Sequence, residues 1–409
     1  MPGGLAGTAR PREIRQEREG PEGWIIHSRP WPVAAVSLPM LFLASEDESN
    51  VPGPRSNLGP VDPGASTVLS FRHLLSEAIS SFLSEAGLGS AQVGEPISEL
   101  LVTLSRYREE GEPLFPVAFL GDDLDGMMRV LNGKDPVAVG TGPRSRETVQ
   151  RALKQCAPLG QGRWWSLYLL LVPEGFRYGI FRTEPSPLVE TPLERMRRAG
   201  DGASRMVGVL QLAENVVELR ALGGLTRHVF LSGARAENLL PTVAMDELAL
   251  GLTADVREPA RGLTRDFYRR VLFEAMQSSH GTLVAVLPKG STGLPLFVDG
   301  VLLGEPIDMV ARVMRHHEAP EVESASAVSA MAQLLRGMMA TDGITVLRSD
   351  GFILGYNVFI RHPETLSREA ARVGGARRRT YEVLCGWVGR ELTTAFFRSQ
   401  DGAIACCRD

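Results

Sequence analysis

Lysine is nearly missing from this chain of 409 residues: only Lys134, Lys154 and Lys289 occur, so arginine carries almost all the positive charge. Cysteine is scarce too, with four residues, Cys156, Cys385, Cys406 and Cys407. None of them has zinc-ligand spacing, and the adjacent pair Cys406-Cys407 does not readily close an ordinary structural disulfide. That argues against a cysteine metal site and a disulfide framework, and the expected compartment is a reducing cytoplasm. Cys385 and Cys406 lie on apolar runs and read as small buried hydrophobes. A basic surplus is also lacking: the formal charge is −4, which argues against bulk binding to a nucleic-acid backbone. There is no Gly-x-x-x-x-Gly-Lys-Ser/Thr loop and no Ser/His/Asp order, so neither a conventional NTPase nor a triad hydrolase is indicated. The apolar segment Val33 to Ala44, broken by Pro39, is about a third to a half short of a bilayer-spanning helix and begins too far along for a comfortable signal peptide. No membrane partner is expected. Long internal repeats and coiled-coil heptads are absent as well.

What is present is enough apolar material for a sizeable core, 44% of the residues, in a chain long enough for two or three domains. Residues 1–65, with stretches such as Val51-Pro-Gly-Pro-Arg-Ser-Asn-Leu-Gly-Pro60, read as a largely disordered extension. Residues 66–185 read as an N-terminal α/β module. Helical spacing links Phe71, Leu74, Leu75, Ile79 and Phe82, and then Ile97, Leu100, Leu101 and Leu104. A strand at Leu114 to Leu120 precedes Gly121-Asp-Asp-Leu-Asp-Gly126, which lacks the full calcium loop and reads as a solvated turn or helix start. Pro136 to Pro143 reads as a short strand entering a Gly-containing turn before a helix near Arg146 to Leu153. Gly140, Thr141 and Gly142 are weak phosphate-cradle candidates there, with simple chain reversal as the alternative. Trp164 to Val172 and Phe176 to Phe181 read as a hairpin around Pro173-Glu-Gly175; Trp164 and Tyr178 are either core aromatics or stacking platforms. Residues 186–260 read as a connecting α/β segment holding Arg195, Arg197 and Arg198 in a polar connector, a strand at Asn215 to Arg220 and an apolar run at His228 to Leu231.

The most informative stretch lies in residues 261–409. Val373-Gly-Gly-Ala-Arg-Arg-Arg-Thr380 puts three consecutive arginines after a Gly-Gly pair and before a helical pattern of Tyr381, Leu384 and Val388. The first turn of a helix carries unpaired N–H groups and a partial positive charge, so cations there are destabilising unless an anion sits between them. A phosphate suits such a place, because backbone donors and planar guanidinium forks both address its oxygens. The alternative is a solvated basic turn in an Arg-rich chain. Upstream, Phe267, Val271, Leu272, Ala275 and Met276 mark a helix running into an apolar strand at Gly281 to Leu287. A second helix at Val328, Met331, Leu334 or Leu335, and Met338 precedes Thr341-Asp-Gly-Ile-Thr-Val-Leu347, a carboxylate at the mouth of a buried strand. Thr393 to Phe397 reads as a strand turning through Asp401-Gly402 into Ile404, Ala405 and Cys406. The fold class expected is therefore α/β: a mixed β-sheet flanked by helices in the C-terminal domain, preceded by a second α/β module.

Gly281-Thr-Leu-Val-Ala-Val286, Asp342-Gly343-Ile344, Gly351 to Ile360, Gly375-Ala-Arg-Arg-Arg379 and Ser399-Gln-Asp-Gly-Ala-Ile404 follow one another in an order that resembles the diadenylate cyclase superfamily, the domain that joins two ATP molecules into cyclic di-AMP. The resemblance spans roughly residues 262–406. It implies a nucleotide site built from Asp342, Gly343, Gly375, Ala376, Arg377, Arg378 and Arg379. Asp342 would lie beside a ribose hydroxyl and hold Mg²⁺ or Mn²⁺ as the catalytic and metal residue of an active enzyme, while Arg377 and Arg379 would grip phosphates. The sequence departs from the pattern at Arg378, where the family has His, at Ala376, where it has Thr, and at Ile344, which adds bulk where it has Ala. Retained charge with altered contact groups favours binding over chemistry, because catalysis fails with misplacement that binding tolerates. With its long N-terminal extension the chain resembles the DACNV-type sensor branch. A sensor of an adenine nucleotide or cyclic dinucleotide is thus ranked ahead of an active diadenylate cyclase and of a non-binding scaffold. A homo-oligomer is an allowed state, and a downstream protein effector is implied but not identified.

Overall fold

Two mixed sheets, one of seven strands and one of six, organise an α/β protein. The computed structural model describes residues 71–89, 92–160, 164–184, 186–199, 204–213, 215–231, 240–279, 281–361, 375–400 and 403–409. The reading of residues 1–65 and the expected turn at Asp401-Gly402 lie outside them. Both sheets belong to the unit that runs from Thr67 to Asp409.

The first sheet is preceded by α1 (Phe71–Glu85) and α2 (Gly94–Leu104), whose helical spacing buries Leu75, Ile79 and Phe82 on one and Ile97, Leu100 and Leu104 on the other. A short hairpin of β1 (Arg108–Glu109) and β2 (Glu112–Pro113) leads to β3 (Val117–Gly121) and α3 (Leu124–Leu131). Next come β4 (Lys134–Gly142) and α4 (Arg146–Cys156), then the expected hairpin of β5 (Trp165–Val172) and β6 (Gly175–Arg182). The polar connector with Arg195, Arg197 and Arg198 is a helix, α5 (Pro192–Arg198), started by a capping box between Thr191 and Glu194. Then follow β7 (Met206–Ala213), β8 (Val216–Ala221) and β9 (Thr226–Phe230), giving the order β4-β6-β5-β3-β7-β8-β9. The boundary expected near residue 185 is therefore crossed. All eight residues of β7 are buried, and β7 pairs antiparallel with β3, so most of the stretch read as a connector completes the first sheet. Its last element, α6 (Pro241–Leu252), instead packs into the second core.

The core face of α4 contains Cys156, 1% exposed, whose thiol burial pushes up to about 11. At pH 8 this thiol is expected to react with a colorimetric disulfide reagent only after denaturant is added, since the thiolate is the reactive form. Mass mapping of labelled peptides before and after unfolding checks this; immediate labelling of Cys156 in the native protein would contradict the packing of α4.

The second sheet begins after α7 (Ala260–Ser278) with β10 (Thr282–Leu287), followed by β11 (Phe297–Asp308), α8 (Met309–Glu318) and α9 (Val322–Ala340). It is completed by β12 (Ile344–Arg348), β13 (Phe352–Ile360), α10 (Ala376–Cys385), β14 (Thr394–Arg398) and β15 (Ile404–Arg408), in the order β11-β13-β12-β10-β14-β15. β10 and β12 run parallel, with Leu283 opposite Ile344; the other pairs are antiparallel. Alternation along β10 sends Val284 and Val286 to a core with Leu248, Leu272 and Leu335 from α6, α7 and α9. It sends Leu283, Ala285 and Leu287 to the opposite core with Leu384 of α10 and Phe397. Burial on both faces explains why β10 reads as an unbroken apolar run. Each such aliphatic side chain contributes about 1.5–3 kcal/mol relative to exposure.

Candidate functional site

Because β10 and β12 are parallel neighbours, the residues that precede them are delivered to the same edge of the sheet. Gly281 precedes β10, and Asp342-Gly343 precedes β12. Gly343 has φ +82°, and a Cβ there would lie 2.9 Å from the carbonyl carbon of Asn357 and the oxygen of Val358. Only glycine allows the turn into β12 to cross β13 so closely. Gly281, with φ +121°, similarly passes the backbone oxygen of Arg398, and a Cβ on it would meet Arg377 Nη1 at 3.1 Å. Arg377, on the first turn of α10, donates from Nη2 to Asp342 Oδ1 at 2.7 Å, 35 residues away in sequence. One guanidinium thus pairs with the residue before β12 and lies beside the glycine before β10.

The first turn of α10 has Arg377, Arg378 and Arg379 and no acidic residue, and its N-cap, Gly375, has no side chain to cap with. The N–H groups of Arg378 and Arg379 both reach the Gly375 carbonyl, at 3.1 and 3.2 Å. Arg378 turns away to Glu382, one helical turn on, at 3.4 Å. Arg377 is held toward Asp342, whose side chain is 81% exposed. An ion pair this open to water is worth about 0–1 kcal/mol, so a bidentate phosphate is a stronger partner for the same guanidinium. Tyr381 stacks on Phe397, ring centroids 5.6 Å apart, and with buried Val383 and Leu384 it fixes α10 against the sheet.

Ile344 does not crowd the carboxylate, contrary to the expectation from its bulk. Its side chain is 1% exposed and points into the core beneath α10, because Asp342 lies two positions earlier, in the turn before β12. A residue that sequence reasoning passed over is Arg398, at the end of β14. It is 6% exposed, and its Nη1 donates to the Ser279 carbonyl at 2.6 Å and the Ser279 hydroxyl at 3.0 Å. Burial lowers its pKa to about 10, so it remains a cation at neutral pH. It ties the end of α7 to the sheet just before Gly281 and so positions that edge. A charged residue closing the strand Thr394–Arg398 directly after the apolar run Ala395-Phe396-Phe397 was the available signal.

Asp342 is part of no metal-ligand cluster: among the described residues no group of three or more His, Cys, Asp or Glu is placed to hold a metal ion. With its one carboxylate engaged by Arg377, the site does not fit a divalent ion by itself. Gly140, Thr141 and Gly142 lie elsewhere, within β4 of the seven-stranded sheet rather than in a turn. The two glycines serve packing, since a Cβ on Gly140 would strike the Tyr178 hydroxyl at 2.4 Å and one on Gly142 the Thr148 hydroxyl at 2.5 Å. The N-terminus of α4 is capped by the Ser145 side chain. Tyr178 is buried and donates to Gln155 at 2.8 Å, whereas Trp164 is 50% exposed. Among the described residues no helix is long and apolar enough to cross a membrane. Comparison with protein-family models, with curated proteins and with solved structures finds no match for this chain.

Proposed function

We propose that the sheet edge formed by Asp342, Gly343 and Gly375 to Arg379 is the nucleotide site of a diadenylate cyclase-like domain that senses an adenine nucleotide or cyclic dinucleotide in the cytoplasm. The observation that carries this reading is the Arg377–Asp342 contact, which joins the Asp-Gly and Gly-Ala-Arg-Arg-Arg motifs across 35 residues. Two motifs linked by function but not by sequence are expected to meet in space if the resemblance is real.

Binding is favoured over chemistry by the state of the carboxylate. Asp342 is engaged by Arg377 and belongs, among the described residues, to no group of three or more His, Cys, Asp or Glu that would hold a catalytic ion against a reacting hydroxyl. Mg²⁺ or Mn²⁺ therefore belongs to this reading only as a companion of the nucleotide's phosphates. On binding, a phosphate displaces Asp342 from Arg377 while the first turn of α10 supplies further donors.

The test incubates concentrated full-length protein with ATP and Mn²⁺ or Mg²⁺ and analyses released and bound nucleotides by mass spectrometry. Bound nucleotide without turnover is expected. Cyclic di-AMP that disappears in Asp342→Asn would make the protein an active cyclase instead, and neither binding nor product would leave a scaffold. In a sensor, Asp342→Asn also has a positive signature. It removes the anion that competes for Arg377, so ATP affinity measured by calorimetry in EDTA is expected to rise, by up to about fivefold, the worth of an exposed ion pair.

A further inference from the structure

A cavity of about 210 Å³ lies between the seven-stranded sheet with α5 on one side and helices α6 and α7 on the other. Its apolar wall is formed by Phe115, Val117, Trp165, Leu193, Leu210 and Phe273. The space is a cleft open to solvent, and clefts lined by aromatic and aliphatic side chains with a few polar groups are where small ligands bind.

The charges around it decide which ligand. Arg220 pairs with Glu218, which is 0% exposed and also touches His228 at 3.2 Å. Arg270 pairs with Glu194 at 2.9 Å and also donates to the Pro187 carbonyl at 3.2 Å. Arg269 pairs with Asp246 at 2.7 Å, and Glu274 is matched by Arg336. The remaining two charges of the lining, Glu184 and Arg197, are exposed and of opposite sign. Every deep guanidinium is thus already committed to a carboxylate, and the lining's five acidic and four basic side chains, with Arg336 behind Glu274, leave no surplus positive charge. A phosphate or other anion entering would have to break a partly buried pair and leave a carboxylate uncompensated, which disfavours it strongly.

We infer that this cavity is a binding site for a compact, uncharged aromatic molecule, separate from the anion-binding edge at Arg377. The inference stands independently of the nucleotide reading. It concerns a place joined to that edge by the chain itself, since Gln277 lines the cavity near the end of α7 and Ser279, held by Arg398, comes two residues later.

The experiment titrates full-length protein with N-phenyl-1-naphthylamine, a neutral aromatic fluorophore, and follows its blue-shifted emission. Saturable binding at one site per chain is expected. Thr242→Trp and Leu193→Trp fill the cavity from opposite walls, and each is expected to weaken binding at least tenfold with an unchanged melting curve. Thr242 is only partly buried near the start of α6, so its variant tests the site even if the Leu193 variant fails to fold. The anionic relative 1-anilinonaphthalene-8-sulfonate is expected to bind at least tenfold more weakly than the neutral probe. Arg377→Ala should leave probe binding intact, which separates this site from the nucleotide edge. The inference is overturned by non-saturating binding, by affinity unchanged in a folded Thr242→Trp, by equal binding of the anionic probe, or by loss of probe binding in Arg377→Ala.

Discussion

Glutamine at both Arg377 and Arg379 is expected to weaken binding of ATP or cyclic di-AMP by about two to four orders of magnitude while leaving the protein folded. Each charge-assisted contact to a phosphate is worth roughly 1.5–3 kcal/mol, and every 1.4 kcal/mol is tenfold in affinity. The fold should tolerate the Arg377 change because its ion pair, to an Asp342 that is 81% exposed, is a surface pair of small worth. The helix keeps its anchorage through Val383, Leu384 and the Tyr381–Phe397 stack. Arg378→Gln is the internal comparison. Its side chain turns along the helix to Glu382, so the expected loss is below about tenfold, less than a single direct phosphate contact. Calorimetric titration of the variants, with melting curves recorded on the same samples, checks both halves. Unchanged affinity in a folded double variant would remove the anion site from α10.

The parts of the fold that were legible are those whose burial pattern is local. β10 is buried on both faces and reads as an apolar run, and α7 and α9 show their core faces at helical spacing; Leu335 is buried where Leu334 is 41% exposed. What was not legible depends on pairing at a distance. β7 and β8 looked like pieces of a connector because nothing in Met206 to Ala221 states that the partner of β7 is β3, some ninety residues earlier. β11 was invisible for a different reason. Its sequence, Phe297 to Asp308, contains Gly300, Gly304 and Pro306, and it is an exposed edge strand with register shifts against β13, so it has no alternation to detect. The helix α5 did announce itself, through Thr191, Pro192 and Glu194 at capping-box spacing, a signal masked by the polarity of Arg195, Arg197 and Arg198. At the site, the motif residues were readable one by one. Their meeting was not, because it depends on β10 and β12 being parallel neighbours and on α10 crossing the edge where both begin.

Gly343 is where that meeting is most exposed to mutation, and Gly343→Val is expected to lose about 2–5 kcal/mol of stability. Two costs add. The residue has φ +82°, a conformation that costs an L side chain about 1–2 kcal/mol. A Cβ there would also press at 2.9 Å on the backbone of Asn357 and Val358, and overpacking of this kind typically costs about 1–3 kcal/mol. Relief by movement is blocked, because the atoms struck are main chain of β13, which pairs with β12 through Ile344 and Val358. Any shift that does accommodate the side chain must displace the turn, and with it Asp342, from Arg377. Gly375→Ala provides the contrast: its φ is −73° and a Cβ there meets nothing within 4 Å, so it carries only the cost of a poorer N-cap residue, about 1 kcal/mol or less. Urea unfolding of the two variants side by side separates a general intolerance of glycine replacement at this edge from the specific strain at Gly343. Equal midpoints would mean that the turn before β12 is free to move away from β13, and the pairing of Asp342 with Arg377 would then need no glycine to hold it.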